Sequence, residues 1–135
     1  MKIRKSILGI LILIAICLLA ILVAVFQKRT QTLAHEKRVA NVAALSGEFA
    51  EARRSGLQPD VNSLFEGLAK KGVILKFSDR QKAEPGDYKL LLRGRQASEA
   101  NADEVIIEET ERVANDGYVV RAYVDGSIKL ERKQQ

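Results

Sequence analysis

Residues 7–26 read ILGILILIAICLLAILVAVF and contain no charged residue, Asn, Gln or Pro. An α-helix of this length extends about 30 Å, the thickness of the hydrocarbon core of a bilayer. A helix in the core of a soluble protein normally keeps a polar stripe, and this stretch has none. It therefore predicts a transmembrane helix.

A cleaved signal peptide is the alternative interpretation of this stretch. Signal peptides carry a shorter apolar region of about 7–15 residues that ends in a small-x-small cleavage site. Here the apolar run is longer and is followed by Gln27, Lys28 and Arg29, so we predict a retained anchor. The short basic tip at residues 1–6 favours a cytoplasmic N-terminus, although bases flank both ends of the span. We expect a single-pass protein of the cell inner membrane, with a periplasmic C-terminal domain.

Composition sets narrow limits on the function. The 135 residues include 22 Lys and Arg against 17 Asp and Glu, for a net charge of +5. Three of the bases lie in the N-terminal tip, which leaves 19 bases and 17 acids in the rest of the chain. That near balance and an aromatic content of 5% argue against a nucleic-acid partner. The single cysteine, Cys17, lies in the apolar stretch and excludes a disulfide-stapled fold.

The segment at residues 27–56 predicts that the membrane helix continues as an amphipathic helix. It contains no Pro, is rich in Ala, and reaches Gly56 as a stop signal. Apolar residues fall at helical spacing and predict one packing face. The face consists of Val39, Val42, Leu45 and Phe49. We expect this face and residues 7–26 to make the contacts with protein partners. The bases of residues 28–38, Arg38 among them, are expected to be solvated.

Residues 57–135 predict a small α+β domain. Pro59 begins a short second helix that ends near Gly72. Strand-like runs follow at residues 73–77, 88–92, 104–108, 118–124 and 128–132, separated by polar loops. The fold class is therefore α+β: a long N-terminal helix, a short second helix and a four-stranded, mostly antiparallel sheet that ends in a hairpin.

The last two runs are joined through Asp125 and Gly126, a hairpin signal. A two-residue loop would mix apolar and charged residues on both faces of the hairpin. A three-residue loop separates them, with Gly126 supplying the positive φ. The register predicted on this ground pairs Val124 with Ile128, Ala122 with Leu130, Arg121 with Glu131 and Tyr123 with Lys129.

Signals for an enzyme are poor. The one histidine, His35, has no Cys or second His as a partner, so we expect an exposed surface residue. A calcium site is the alternative for the acids at 104–125, but they lack a calcium-loop spacing. Glycines show no phosphate-binding spacing. The sequence therefore predicts no catalytic residue, no metal, no cofactor and no small-molecule substrate.

The C-terminal region carries a pattern of its own. Asn115 precedes Asp125-Gly126 by nine intervening residues, and Gly117 lies between them. This spacing resembles the His-x9-Asp-Gly ending of type IV pilins and type II secretion pseudopilins. The basic leader, the apolar helix and the sheet resemble the layout of the same families. In that comparison Asn115 stands in the place of the His. The N-terminus departs from the family: Gly9 follows the leader, but Ile10 and Ile14 replace the usual Phe and Glu.

The resemblance implies a non-enzymatic subunit or accessory protein of a bacterial envelope secretion or pilus apparatus. It also implies a processing site between Gly9 and Ile10. In the family, the missing Glu pairs with a neighbouring subunit's terminal amine and sets the assembly register. Its absence from this chain points to a minor or tip-type subunit, or to a protein that stays outside the filament. The alternative function is a membrane-tethered binding or scaffold module unrelated to filaments.

Overall fold

The computed structural model describes residues 2–91 and 102–134. Two helices and six strands follow one another along the chain. They are α1 (Lys2–Arg54), α2 (Val61–Lys70), β1 (Lys76–Ser78), β2 (Gln81–Lys82), β3 (Tyr88–Leu90), β4 (Val105–Glu109), β5 (Tyr118–Tyr123) and β6 (Ile128–Arg132). The predicted α+β fold class is confirmed: a long N-terminal helix, a short second helix and a four-stranded antiparallel sheet.

The chain divides into two compact units, Met1–Ala34 and His35–Gln135. Sequence patterning placed the start of the globular domain at residue 57, whereas the second unit begins 22 residues earlier, at His35. The physical reason is that the C-terminal part of α1 contributes core side chains, so it cannot be separated from the sheet. In the first unit, the apolar side chains of residues 7–26 are all exposed.

The core of the second unit forms where α1, α2 and the sheet meet. From α1, Val42 and Leu45 are fully buried and Phe49 is nearly so, while Val39 is partly buried against the same cluster. The spacing of three to four residues places these side chains on one face of the helix. The other buried members of this core cluster are Leu64, Leu68, Leu75, Tyr88, Leu90, Ile106, Ile107, Val120 and Ala122.

The second helix is fixed at both ends. Asp60 caps its start: its carboxylate accepts from the Ser63 N–H at 2.8 Å, and the Ser63 hydroxyl accepts from the Asp60 N–H at 2.9 Å. Lys71, just past its end, donates to Glu48 and Glu51 of α1. These contacts tie α2 to α1 and bring Leu64 and Leu68 onto the core.

The main sheet has the order β3-β4-β5-β6, with every pairing antiparallel. The strand-like run at 73–77 is not part of it. Instead, β1 and β2 form a separate two-stranded sheet. Leu75 is buried in the core and Phe77 packs partly against it, while Val73 and Ile74 stay exposed. Residue 92, at the end of the strand run 88–92, and residues 93–101 of the following loop lie outside the described residues.

The register of the β5–β6 hairpin differs from the predicted one. Ala122 lies opposite Ile128 rather than Leu130, and Arg121 lies opposite Lys129 rather than Glu131. The difference is two residues, so every side chain keeps the face that the sequence assigned to it. An apolar face and a charged face therefore result in either register.

The loop explains the register. Its three residues are 124–126, because the Tyr123 N–H donates to Ser127 O at 2.9 Å and the Gly126 N–H donates to Tyr123 O at 3.0 Å. Gly126 has φ +87°. Val124 cannot pair with Ile128, because it is a loop residue whose N–H donates to Glu104 O at 3.0 Å.

Two Gly→Ala substitutions are expected to have opposite effects. At Gly126 the positive φ makes a side chain strained, so Gly126→Ala is expected to lower the free energy of unfolding by about 1–2 kcal/mol. Gly47 lies inside α1, and a Cβ there meets no atom within 4 Å. Gly47→Ala is expected to raise the free energy of unfolding by about 0.5–1 kcal/mol. Hydrogen exchange of the slowest amides of β5, in detergent-solubilised full-length protein, measures both. A stabilising Gly126→Ala would contradict the assigned loop geometry.

Candidate functional site

The first candidate surface is the apolar part of α1. Among the described residues, α1 is the one helix long and apolar enough to cross a membrane. Between residues 7 and 26, the exposed fractions of its large apolar side chains run from 47% at Val23 to 70% at Phe26. So much apolar surface in an uninterrupted helix is stable only in contact with lipid or other apolar helices. Gly9 and Ile10, the suggested processing site, lie within this helix.

The second candidate is a charge cluster, defined here as His35, Arg38, Glu109 and Asp116. Its centre is a two-pronged ion pair between α1 and β4. Arg38 Nε lies 2.9 Å from Glu109 Oε2, and Arg38 Nη2 lies 2.7 Å from Glu109 Oε1. The two side chains are only 8% and 0% exposed. Such a pair is stabilising only when its remaining polar atoms are satisfied, and here Glu109 Oε1 also accepts from the Val120 N–H at 2.8 Å.

The remaining donors of Arg38 reach the start of β5. Nη1 donates to Asp116 Oδ2 at 2.7 Å, and Nη2 donates to Tyr118 O at 3.1 Å. Burial alone would lower the pKa of Arg38, but the hydrogen bonds and charges of Glu109 and Asp116 raise it above its ordinary value. The guanidinium thus stays charged and joins one helix to two strands.

Asp116 forms the outer edge of the cluster. Its Oδ2 also lies 3.0 Å from His35 Nε2, and its Oδ1 accepts from the Tyr118 N–H at 3.2 Å. The His35 and Tyr118 rings are 5.5 Å apart. Burial raises the pKa of Asp116, but the hydrogen bonds from His35, Tyr118 and Arg38 outweigh it and hold that pKa below its ordinary value.

Two expectations from the sequence are wrong at this cluster. Arg38 was expected to be solvated and is buried, and His35 was expected to be an exposed surface residue but is partly buried against Asp116. Arg38 lies four residues before Val42, so the buried face of α1 continues through it. The spacing of Arg38 and Val42 was therefore a signal in the sequence that Arg38 is buried. The partner Glu109 is 71 residues away in the chain, and no local pattern connects the two.

Because the pKa of Asp116 is lowered in the folded protein, the free energy of unfolding is expected to depend on pH in the acid range. A carboxylate whose folded pKa is depressed contributes stability above its unfolded pKa, and this stability is lost as the pH falls through the folded value. The free energy of unfolding is therefore expected to fall as the pH drops below about 4. Asp116→Asn is expected to remove the contribution of this carboxylate to the change of the free energy of unfolding with pH. Denaturant unfolding between pH 6 and pH 2 measures it, and equal slopes in the two proteins would contradict the assignment.

The acidic residues considered for a calcium site bind other groups of the protein. Glu108 binds Arg121 at 3.0 Å and Glu111 binds Lys133 at 2.8 Å. Asp125 accepts from the Ser127 N–H at 2.8 Å inside the hairpin loop. Within residues 2–91 and 102–134, no group of three His, Cys, Asp or Glu side chains is placed to hold a metal ion.

One buried polar atom in the described part of the chain, the Tyr88 hydroxyl, has no partner at full hydrogen-bond geometry. The Asn41 side chain is near enough to lower its pKa slightly, but the Asn41 amide donates to Lys76 O. Tyr88 is 4% exposed, and burial raises the pKa of its phenol well above the usual value. Because an unsatisfied buried hydroxyl is costly, Tyr88→Phe is expected to stabilise the protein by roughly 1 kcal/mol.

Tyr123→Phe is the matched control for that substitution, because the Tyr123 hydroxyl donates to Glu131. It is expected to destabilise by about 0.5–1.5 kcal/mol. Hydrogen exchange of the same β5 amides measures both variants. A destabilising Tyr88→Phe would show that the hydroxyl is satisfied in solution.

Comparison with protein-family models, with curated proteins and with solved structures finds no match in any of the three.

Proposed function

We propose that the chain is a single-pass, membrane-anchored, non-enzymatic subunit or accessory protein of pilin or pseudopilin type, in a bacterial envelope secretion or pilus apparatus. The observation that carries the proposal is α1. This one helix contains the apolar surface of residues 7–26 and, further along, the buried stripe on which an antiparallel sheet packs. An anchored subunit needs both features.

The ionic contacts of the globular unit support a structural role. Arg38 and Glu109 bind each other in the core, and Arg121 holds Glu108 and Glu131 across three strands. A catalytic carboxylate or histidine must be free to exchange protons with a substrate. The groups named here are held in contacts that connect elements of secondary structure.

Partner contacts are assigned to residues 7–26. The sequence had offered the stripe of Val39, Val42, Leu45 and Phe49 as a second contact surface. Val42, Leu45 and Phe49 are 0%, 0% and 4% exposed within the unit's own core, so they are not available to another chain. Helix–helix packing in the membrane then uses the exposed apolar residues of the span.

N-terminal mass analysis of protein recovered from membranes tests the proposal. The chain is expressed in a bacterial host that contains a prepilin peptidase. A start at Ile10 is the expected result, and an intact Met1 or Lys2 start would overturn the filament assignment. Gly9→Leu is the control, because nothing lies within 4 Å of a Cβ at Gly9 and the folded protein tolerates a side chain there. It is expected to abolish the cut without loss of protein.

A membrane-tethered binding module is the second candidate function. An open groove favours it, lined by the end of α1, the α1–α2 connection and the hairpin loop. Its more exposed apolar lining includes Leu57 and Val124. A pull-down that recovers one non-pilus partner, and loses it on Leu57→Asp, would favour this function over the first.

A further inference from the structure

The main sheet ends in a regular edge strand, β6, which no other described strand covers. In the order β3-β4-β5-β6, the last strand has a neighbour on one side only, within the described residues. Its five residues pair with β5 without a bulge. The other edge strand, β3, has three residues. Open sheets usually protect such an edge with a short strand, Pro, a bulge or charged side chains. Of these, β6 has only charged side chains, with Lys129 and Arg132 exposed.

The hydrogen-bond pattern shows which backbone groups the edge offers. The Tyr123 N–H donates to Ser127 O, and the Lys133 N–H donates to Gly117 O. Because hydrogen-bonded pairs alternate in an antiparallel ladder, residues 129 and 131 also direct their backbone groups toward β5. Ile128, Leu130 and Arg132 therefore direct their N–H and C=O groups away from the sheet.

The side chains of β6 add positive charge to this edge. Lys129 lies directly opposite Arg121, a like-charge pair that is unfavourable in a sheet. Arg121 is neutralised by Glu108 and Glu131. Lys129 has no carboxylate within 4 Å in residues 2–91 and 102–134, and its ammonium contacts only the Tyr123 ring, at 5.0 Å. Asp125 and Glu131 interact with Lys129 only over a longer range, so its exposed ammonium is not paired at salt-bridge distance within the described residues.

The inner face of the same edge is apolar. Leu130 shares the face of Val120 and Ala122 and is 36% exposed. Ile128, two residues earlier, packs on the core. A further strand beside β6 would cover Leu130 and extend the core outward. Arg132, which follows on this face, is also exposed.

We propose that the β6 edge binds an extended acidic segment of a partner protein by adding a strand to the sheet. The segment places an apolar side chain beside Leu130 and acidic side chains beside Lys129 and Arg132. Main-chain hydrogen bonds to Ile128, Leu130 and Arg132 provide affinity, and the charges provide selectivity. This inference is independent of the pilin-type assignment, because it uses only the sheet.

Amide hydrogen exchange, measured by NMR on the full-length protein in zwitterionic micelles, tests the proposal. The probe is the capped peptide Glu-Thr-Val-Glu-Val, and the comparison is Lys-Thr-Val-Lys-Val. The acidic peptide is expected to protect the amides of residues 128, 130 and 132. It is also expected to bind about tenfold more tightly than the basic one, from two charge pairs at an exposed edge.

Two variants separate charge selectivity from folding. Lys129→Glu places a carboxylate opposite Arg121, so the protein keeps its fold and is expected to lose the preference for the acidic peptide. Lys82→Glu makes the same charge change on exposed β2, and this variant is expected to keep the preference for the acidic peptide. Equal binding of both peptides, or no added protection at the edge, would overturn the proposal. Protection of the edge that rises with protein concentration alone would overturn it as well, in favour of a second copy.

Discussion

Arg38→Met is expected to lower the free energy of unfolding of the globular unit by about 3–5 kcal/mol. The substitution leaves the Glu109 carboxylate, which is 0% exposed, with the Val120 N–H as its one remaining hydrogen-bond donor among the described residues. A buried charge without its counterion is among the most destabilising changes that a single substitution makes. Hydrogen exchange of the slowest β5 amides provides the measurement.

A second substitution and a control separate the charge from the lost volume. Adding Glu109→Gln to Arg38→Met removes the stranded charge, while the amide oxygen still accepts from Val120. The double variant is expected to recover about 2 kcal/mol or more of the loss. Arg121→Met is the matched control at a partly exposed pair and is expected to cost roughly 1 kcal/mol or less. Equal losses in Arg38→Met and Arg121→Met would contradict the role given to the cluster.

Leu45→Ala is the second substitution with a large expected effect, a loss of about 2–5 kcal/mol. Leu45 is fully buried where α1 meets α2 and the sheet. Truncation to Ala leaves a cavity in a region where three elements constrain any collapse. The loss appears in the same hydrogen-exchange measurement as a uniform increase in the opening rate of the core amides.

Leu33→Ala is the control on the same helix. Leu33 is 52% exposed, and Ala is a better helix former than Leu. The expected change is within about 0.5 kcal/mol. If Leu33→Ala cost as much as Leu45→Ala, the assignment of one buried face to α1 would be wrong.

Periodic patterns predicted the elements of this fold. An uncharged run of bilayer length indicated the apolar part of α1, and the spacing of Val42, Leu45 and Phe49 matches the face that is buried. Alternation along β5 and β6 assigned side chains to faces that survive a two-residue error in register. Local patterns succeed here because each depends only on residues that are neighbours in the chain.

The charge cluster could not be predicted in the same way. Arg38 and Glu109 are charged residues of a kind that normally stays in water, and the helical spacing of Arg38 and Val42 does not show which group would neutralise a buried guanidinium. Their burial depends on a contact between elements 71 residues apart. The hairpin register failed for a related reason: Val124 is held by Glu104 of the preceding segment, and a hairpin considered alone does not contain that contact.

Membrane anchoring through residues 7–26 underlies the whole account, and alkaline carbonate extraction followed by intact-mass analysis tests it directly. The account predicts that the protein stays in the membrane pellet and that its mass still includes residues 10–26. A carbonate-soluble product that begins after Phe26 would contradict it.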